Sequence, residues 1–230
     1  MKIIDLSQRI YDGLTTHPSH PRIVINNFVT HEFTAPRYKP PCKGFATKQL
    51  LISDHAGTHV DAPTHFYAES ESIDQQDLNK FLGDAILLDV SGKELRRPVD
   101  LELVKETLER DGLEVQKGDI VLIRAWTGQW DDPDFHHVNG LAIDAARWLR
   151  DHGMKAVGID LGNIEDNADM TRCVHMFLLE EKVPIYENLA NLNALPVKRF
   201  LFAGFPLFLK GCTGSPVRAV ALLDENEGAR

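Results

Sequence analysis

The sequence is poor in cysteine, in basic charge and in long apolar runs, and each shortage removes a class of protein. Its three cysteines, Cys42, Cys173 and Cys212, lie far apart and form no CxxC pair. That spacing supports neither a thiolate zinc ribbon nor a disulfide framework, so three reduced thiols are expected. Lys and Arg number 25 against 34 Asp and Glu, a formal net charge of -9. A nucleic-acid binder would show clustered basic residues and a basic pI, so no nucleic-acid partner is expected. An anionic small molecule stays compatible, because local fields differ from net charge. No apolar run approaches the ~18 residues that span a bilayer, so no membrane partner is expected. Asp5, Ser7, Gln8 and Arg9 interrupt the apolar start of the chain. That argues against a signal peptide and for a cytoplasmic protein.

Repeats, low-complexity tracts and a linker are also missing, so one domain over residues 1–230 is expected. What is present is an alternation of short β-branched runs with helical patterns. Strands are predicted over residues 23–29, 85–90, 119–123, 156–159 and 217–222. Helices are predicted over 101–110, capped by Asp100 with Gly112 past its end, over 143–151, ended by Gly153, and over 170–180. Strand and helix alternate in the middle and strands dominate the ends. The pattern implies a mixed α/β domain, with helices packed on a sheet or partly closed barrel.

The chemistry concentrates in one segment, His55-Ala56-Gly57-Thr58-His59-Val60-Asp61-Ala62-Pro63-Thr64-His65. Gly57, the β-branched Thr58 and Val60, and Pro63 oppose a helix there. In an extended segment side chains alternate faces, so His59, Asp61 and His65 are expected on one face. Gly57 permits a tight bend that returns His55 to the same point. Two imidazoles and a carboxylate suit a divalent ion such as zinc or manganese, and three protein ligands leave a position open for chemistry. His65 is then a proton shuttle, because its pKa sits near neutrality. His17 and His20 sit among prolines, with pocket lining as the alternative, but they and His136 and His137 read as ordinary loop histidines.

The same segment resembles the HxGTHxDxPxH signature of the cyclase-like metal hydrolases, a family that includes bacterial kynurenine formamidases (arylformamidases), isatin hydrolases and a dienelactone hydrolase. The resemblance runs on through Met1 to Ser7, Gly158-Ile159-Asp160, Glu187-Asn188-Leu189 and Gly214-Ser215-Pro216-Val217-Arg218. It implies a mixed, barrel-like sheet flanked by helices, of the swivelling β/β/α type, assembled as a homodimer or larger homo-oligomer. It implies two metal ions per chain, the first on His55, His59 and Asp61. The second would share Asp61 and add His175 and Glu187, with His65 as catalytic acid/base. The implied reaction is hydrolysis of an amide, cyclic amide or lactone bond by metal-activated water.

Two places depart from the family pattern. The early substrate loop reads Thr15-Thr16-His17-Pro18-Ser19-His20-Pro21 in place of a Trp-Pro-Gly-Asp-like stretch, and Asn163 stands near where a serine is expected. The pocket wall is therefore expected to differ. The competing readings are a non-catalytic metal- or ligand-binding protein on the same scaffold and a structural metal site. His65 speaks against the first and the lack of nearby thiolates against the second.

Overall fold

The alternation read from the apolar runs is the alternation the chain folds into. In the computed structural model, which describes residues 1–224, the order is β1 (Lys2–Asp5), β2 (Val24–Val29), α1 (His31–Thr34), β3 (Thr47–Leu51), β4 (His59–Asp61), β5 (Leu82–Asp89), α2 (Leu101–Asp111), β6 (Ile120–Arg124), α3 (Ile143–Asp151), β7 (Ala156–Ile159), α4 (Cys173–Glu180), β8 (Ile185–Glu187), β9 (Arg199–Ala203), β10 (Gly214–Pro216) and β11 (Val220–Leu223). Residues 225–230, the end of the expected domain, lie outside the described residues.

Among the described residues nine strands form one mixed sheet in the order β1-β11-β9-β5-β6-β7-β8-β4-β10, curled into a half-barrel. Its middle, β5 to β8, is parallel and its flanks are antiparallel. Parallel strands are covered on both faces and so read as continuous apolar runs. In β6, Val121 and Ile123 meet the helices α2, α3 and α4, while Ile120 and Leu122 face the inside of the curl. Burying each such side chain contributes roughly 1.5–3 kcal/mol, which makes the parallel centre a rigid base for the site.

Local signals set the helix ends. Asp100 accepts from the N–H of Leu103 at 2.8 Å, and Gly112 ends α2 with φ 62°, as the sequence predicts. The helix expected over residues 170–180 begins later, at Cys173. Thr171 is tied back to Asp169 by its N–H and hydroxyl, and Arg172 takes a left-handed conformation (φ 51°) that no helix interior tolerates. The strand expected over residues 217–222 starts later, as β11 at Val220, and a separate short strand, β10, ends just before it at Pro216. The run over residues 23–29 lies outside the main sheet, where β2 pairs with β3 as a separate ribbon.

Candidate metal centre

Register creates the site. Strand β4 is hydrogen-bonded between β8 and β10, and His59 stands opposite Glu187. Directly opposed residues of an antiparallel pair share a face with Cβ atoms roughly 5 Å apart. Two residues on, Asp61 shares that face. Glu187 reaches the centre because it ends a strand that pairs with β4. His175 comes from the first turn of α4, which packs on β8.

The short strand corrects one expectation. The strand ends at Asp61, Ala62 is the last extended residue, and Pro63 to His65 form a 3-10 turn in which the N–H of His65 donates to the Ala62 carbonyl. His65 therefore joins the site by a turn, not by alternation along a strand. Pro63 favours this, because its fixed φ suits a first helical position. The Gly57 bend is present (φ 64°) and places the His55 and His59 rings 5.0 Å apart. His55 and His65 lie 4.1 Å apart, centroid to centroid.

Two sets of potential ligand atoms converge: His55, Asp61 and His65, and His59, Asp61 and Glu187. Asp61 belongs to both. His175 Nε2 adds to the second, 3.2 Å from Glu187 and 3.7 Å from Asp61. His55 thus groups most tightly with His65, not with His59, whose Nε2 lies 3.3 Å from Asp61 and 3.5 Å from Glu187.

Hydrogen bonds turn each ring. His59 Nδ1–H donates to the Gly57 carbonyl at 2.9 Å, leaving Nε2 for the carboxylates. His175 Nδ1–H donates to Glu165 at 2.6 Å, with the same result. Glu165 also accepts the N–H of Val174 at 2.7 Å, and so caps α4 where Arg172 does not. The Thr213 hydroxyl donates to Asp54 at 2.9 Å, so it accepts from His55 Nε2–H at 2.8 Å. Gly214 lets the His55 ring approach: a Cβ there would stand 2.7 Å from the ring.

This network asks for a cation. With its proton on Nε2, His55 turns an unprotonated Nδ1 toward an Asp61 oxygen 2.8 Å away. Two acceptors in that relation need a proton or a metal ion between them. The other Asp61 oxygen is buried without a hydrogen-bond partner, an arrangement that costs several kcal/mol for a charged group unless a ligand meets it. Burial alone would lower the pKa of His59, yet its bonds to Asp61 and Glu187 outweigh that and lift it to about 10. Burial likewise opposes, and Glu165 and Glu187 raise, the pKa of His175 to about 10. Glu187 moves the other way: burial would raise it, but His175 and His59 bring it to about 2. Protons on these histidines stand where divalent ions would stand, and the residues present fit such ions.

The cavity above the cluster holds about 180 Å³. His17 and His20, read from the sequence as ordinary loop residues, line it beside Asn163 and Arg172. The loop between Gly13 and Ile23 folds over the site, and the His20 ring stands 6.0 Å from that of His55. His136 and His137 are exposed, on a single 3-10 turn, Phe135–His137, within the segment read as a loop. Sequence reasoning missed Glu165, Thr213 and Asp54, which touch the histidines and have no motif spacing of their own.

The Cyclase family's sequence model matches residues 4–166. A kynurenine formamidase of Bacillus thuringiensis (strain Al Hakam) is 30% identical over 174 residues, 75% of this chain and 78% of that protein. Isatin hydrolase A from Labrenzia aggregata, solved with benzyl benzoate, superposes with a TM-score of 0.80 at 21% identity, covering 97% of this chain and 94% of the other. A solved potential metal-dependent hydrolase with cyclase activity gives a TM-score of 0.71 at 25% identity, with 96% of both chains covered. Fold, donor set and relatives together define a metal-dependent hydrolase. Within that class, the chain belongs to the cyclase family.

Proposed function

We propose that the enzyme hydrolyses an amide, cyclic amide or lactone bond of a small molecule, in the manner of an arylformamidase. The observation that carries the reading is Asp61, a buried carboxylate shared by two converging ligand sets, with one oxygen lacking any hydrogen-bond partner. In the family-like assignment His55, His59 and Asp61 would hold one ion, and Asp61, His175 and Glu187 a second, with His59 standing between the two because it faces both Asp61 and Glu187; each ion would be zinc or manganese by the softness of the donors. Bound there, the ions would supply Lewis acidity and a water acidified to a pKa near 7.

The chain's own residues supply the rest. His65 lies against His55 over the cluster, and burial lowers its pKa, so its ring is neutral at pH 7 and accepts a proton. It then returns that proton to the leaving nitrogen or oxygen. Phe66 and the histidine-bearing loop line the cavity in which the reacting bond would lie. His65→Ala is expected to retain its metal and lose roughly 10²–10⁴-fold in turnover of an aryl formamide. Unchanged turnover would end the role given to His65. Binding of formamides, isatin-like rings and lactones with no product from any of them would leave a binding protein instead.

The expected assembly with a second copy finds support in the β2–β3 ribbon. A two-stranded ribbon is marginal alone, and this one exposes Phe28, Leu50 and Leu51. Covering apolar side chains exposed on both faces of so thin a ribbon favours a dimer. A single monomeric species in sedimentation at all concentrations would remove this part.

A further inference from the structure

Of the charged side chains lining the cavity, Arg172 is the one with no charged hydrogen-bond partner; its field helps to lower the pKa of Asp169. Glu187 is also charged, but His59 and His175 engage it. A guanidinium carries five N–H donors. Those of Arg172 make only two long bonds, to the carbonyls of Asp166 (3.3 Å) and Asn167 (3.5 Å). Among the described residues no carboxylate lies within ion-pair distance of it. The nearby Asp169 carboxylate is taken by Thr171 and Cys173.

The backbone holds Arg172 at a cost. Its φ of 51° is one that side-chain-bearing residues rarely adopt, at the start of α4 where glycine would be relaxed. Such strain persists where the surroundings over-determine it, and it gathers at ligand sites. Here it sets an unpaired cation in the wall of the cavity above His175 and Glu187.

The opposite wall adds a second unmet group. His20 lines the same cavity, and its Nδ1 is buried without a hydrogen-bond partner. His17 turns its Nδ1 to the N–H of Ser19 at 3.1 Å, which leaves Nε2–H free to donate.

We infer that the substrate carries a carboxylate, or an equally compact anion, beside its scissile bond, and that Arg172 receives it with His17 and His20 opposite. This deepens the hydrolase reading and rests on it. One charge-assisted pair inside a confined site discriminates by about tenfold or more. The acidic surface of the whole chain does not oppose this, since the field that matters is local.

The test uses two matched pairs on the metal-loaded enzyme. Turnover is compared for formanilide and 2-formamidobenzoate, and binding for benzamide and benzoate. The expected result is a kcat/KM and an affinity each at least about tenfold in favour of the carboxylate. Arg172→Gln should shrink both ratios severalfold. Arg172→Gly should do the same while melting no lower than the parent, because φ 51° suits glycine, and so it guards against a misfolded glutamine variant. Ratios near one in the parent enzyme would overturn the inference, as would ratios that neither variant changes, which would place the carboxylate on the metal centre. If neither formamide is hydrolysed but benzoate retains an Arg172-dependent preference, the anion site stands and the amide reading falls.

Discussion

The two walls of the metal centre are built in opposite ways. One is a single stretch of chain, His55 to His65, in which a glycine bend, three residues of strand and a proline turn aim four ligand-type side chains at one point. The other wall is assembled from Glu165, His175, Glu187 and Thr213, which come from a loop, a helix, a strand end and the approach to β10. The first wall is local geometry and the second is sheet register. Asp61 joins them, and a substitution there strikes both.

The largest expected effect is therefore at Asp61→Asn. It should lose metal at both positions and lose more activity than the roughly 10–100-fold typical of a residue that only orients a ligand. Elemental analysis and turnover check this, and a variant with full metal content and activity would separate the two walls. Glu165→Gln acts on the far wall alone. Its amide still accepts but no longer holds His175 as a charged partner, so affinity for one ion should fall by roughly 10–100-fold while the other is kept. A calorimetric metal titration reads this directly, and equal weakening of both ions would contradict the division. Gly214→Ala presses on the near wall through the His55 ring. It should cost about 1–3 kcal/mol of stability by overpacking, read as a lower melting temperature, with the His175 side undisturbed.

The same contrast explains what was legible in the sequence. His55, His59, Asp61 and His65 crowd within eleven residues, and their types alone point to a metal. His175 and Glu187 look like a plain helix histidine and a surface carboxylate until β8 pairs with β4. They entered the sequence reading only through family resemblance. Glu165, Thr213 and Asp54 had neither signal. Glu165 and Thr213 matter because they hydrogen-bond to the rings of His175 and His55, and Asp54 because it holds the Thr213 hydroxyl, and no spacing in the chain encodes that. His17 and His20 were misjudged for a related reason: their loop folds back over the cluster, an outcome of its packing around Leu14 and Ile23.

The fold divides similarly. Helices α2 and α3 were visible from a cap, a glycine stop and an apolar stripe. The parallel centre showed as continuous apolar runs. The three-residue strands β4, β8 and β10 are too short to show a periodicity: β4 was legible only as a segment that opposes a helix, β8 only as a strand end at Glu187, and β10 not at all. They are the strands that carry the site.

The most direct test of the account is the number of divalent ions held per chain, measured on protein purified without chelator, resupplied with zinc or manganese, and paired with turnover before and after removal. Two ions per chain are expected, with loss of turnover on chelation and its return on resupply. A protein that takes up no specific ion, or that hydrolyses its substrate equally well once stripped, would contradict it.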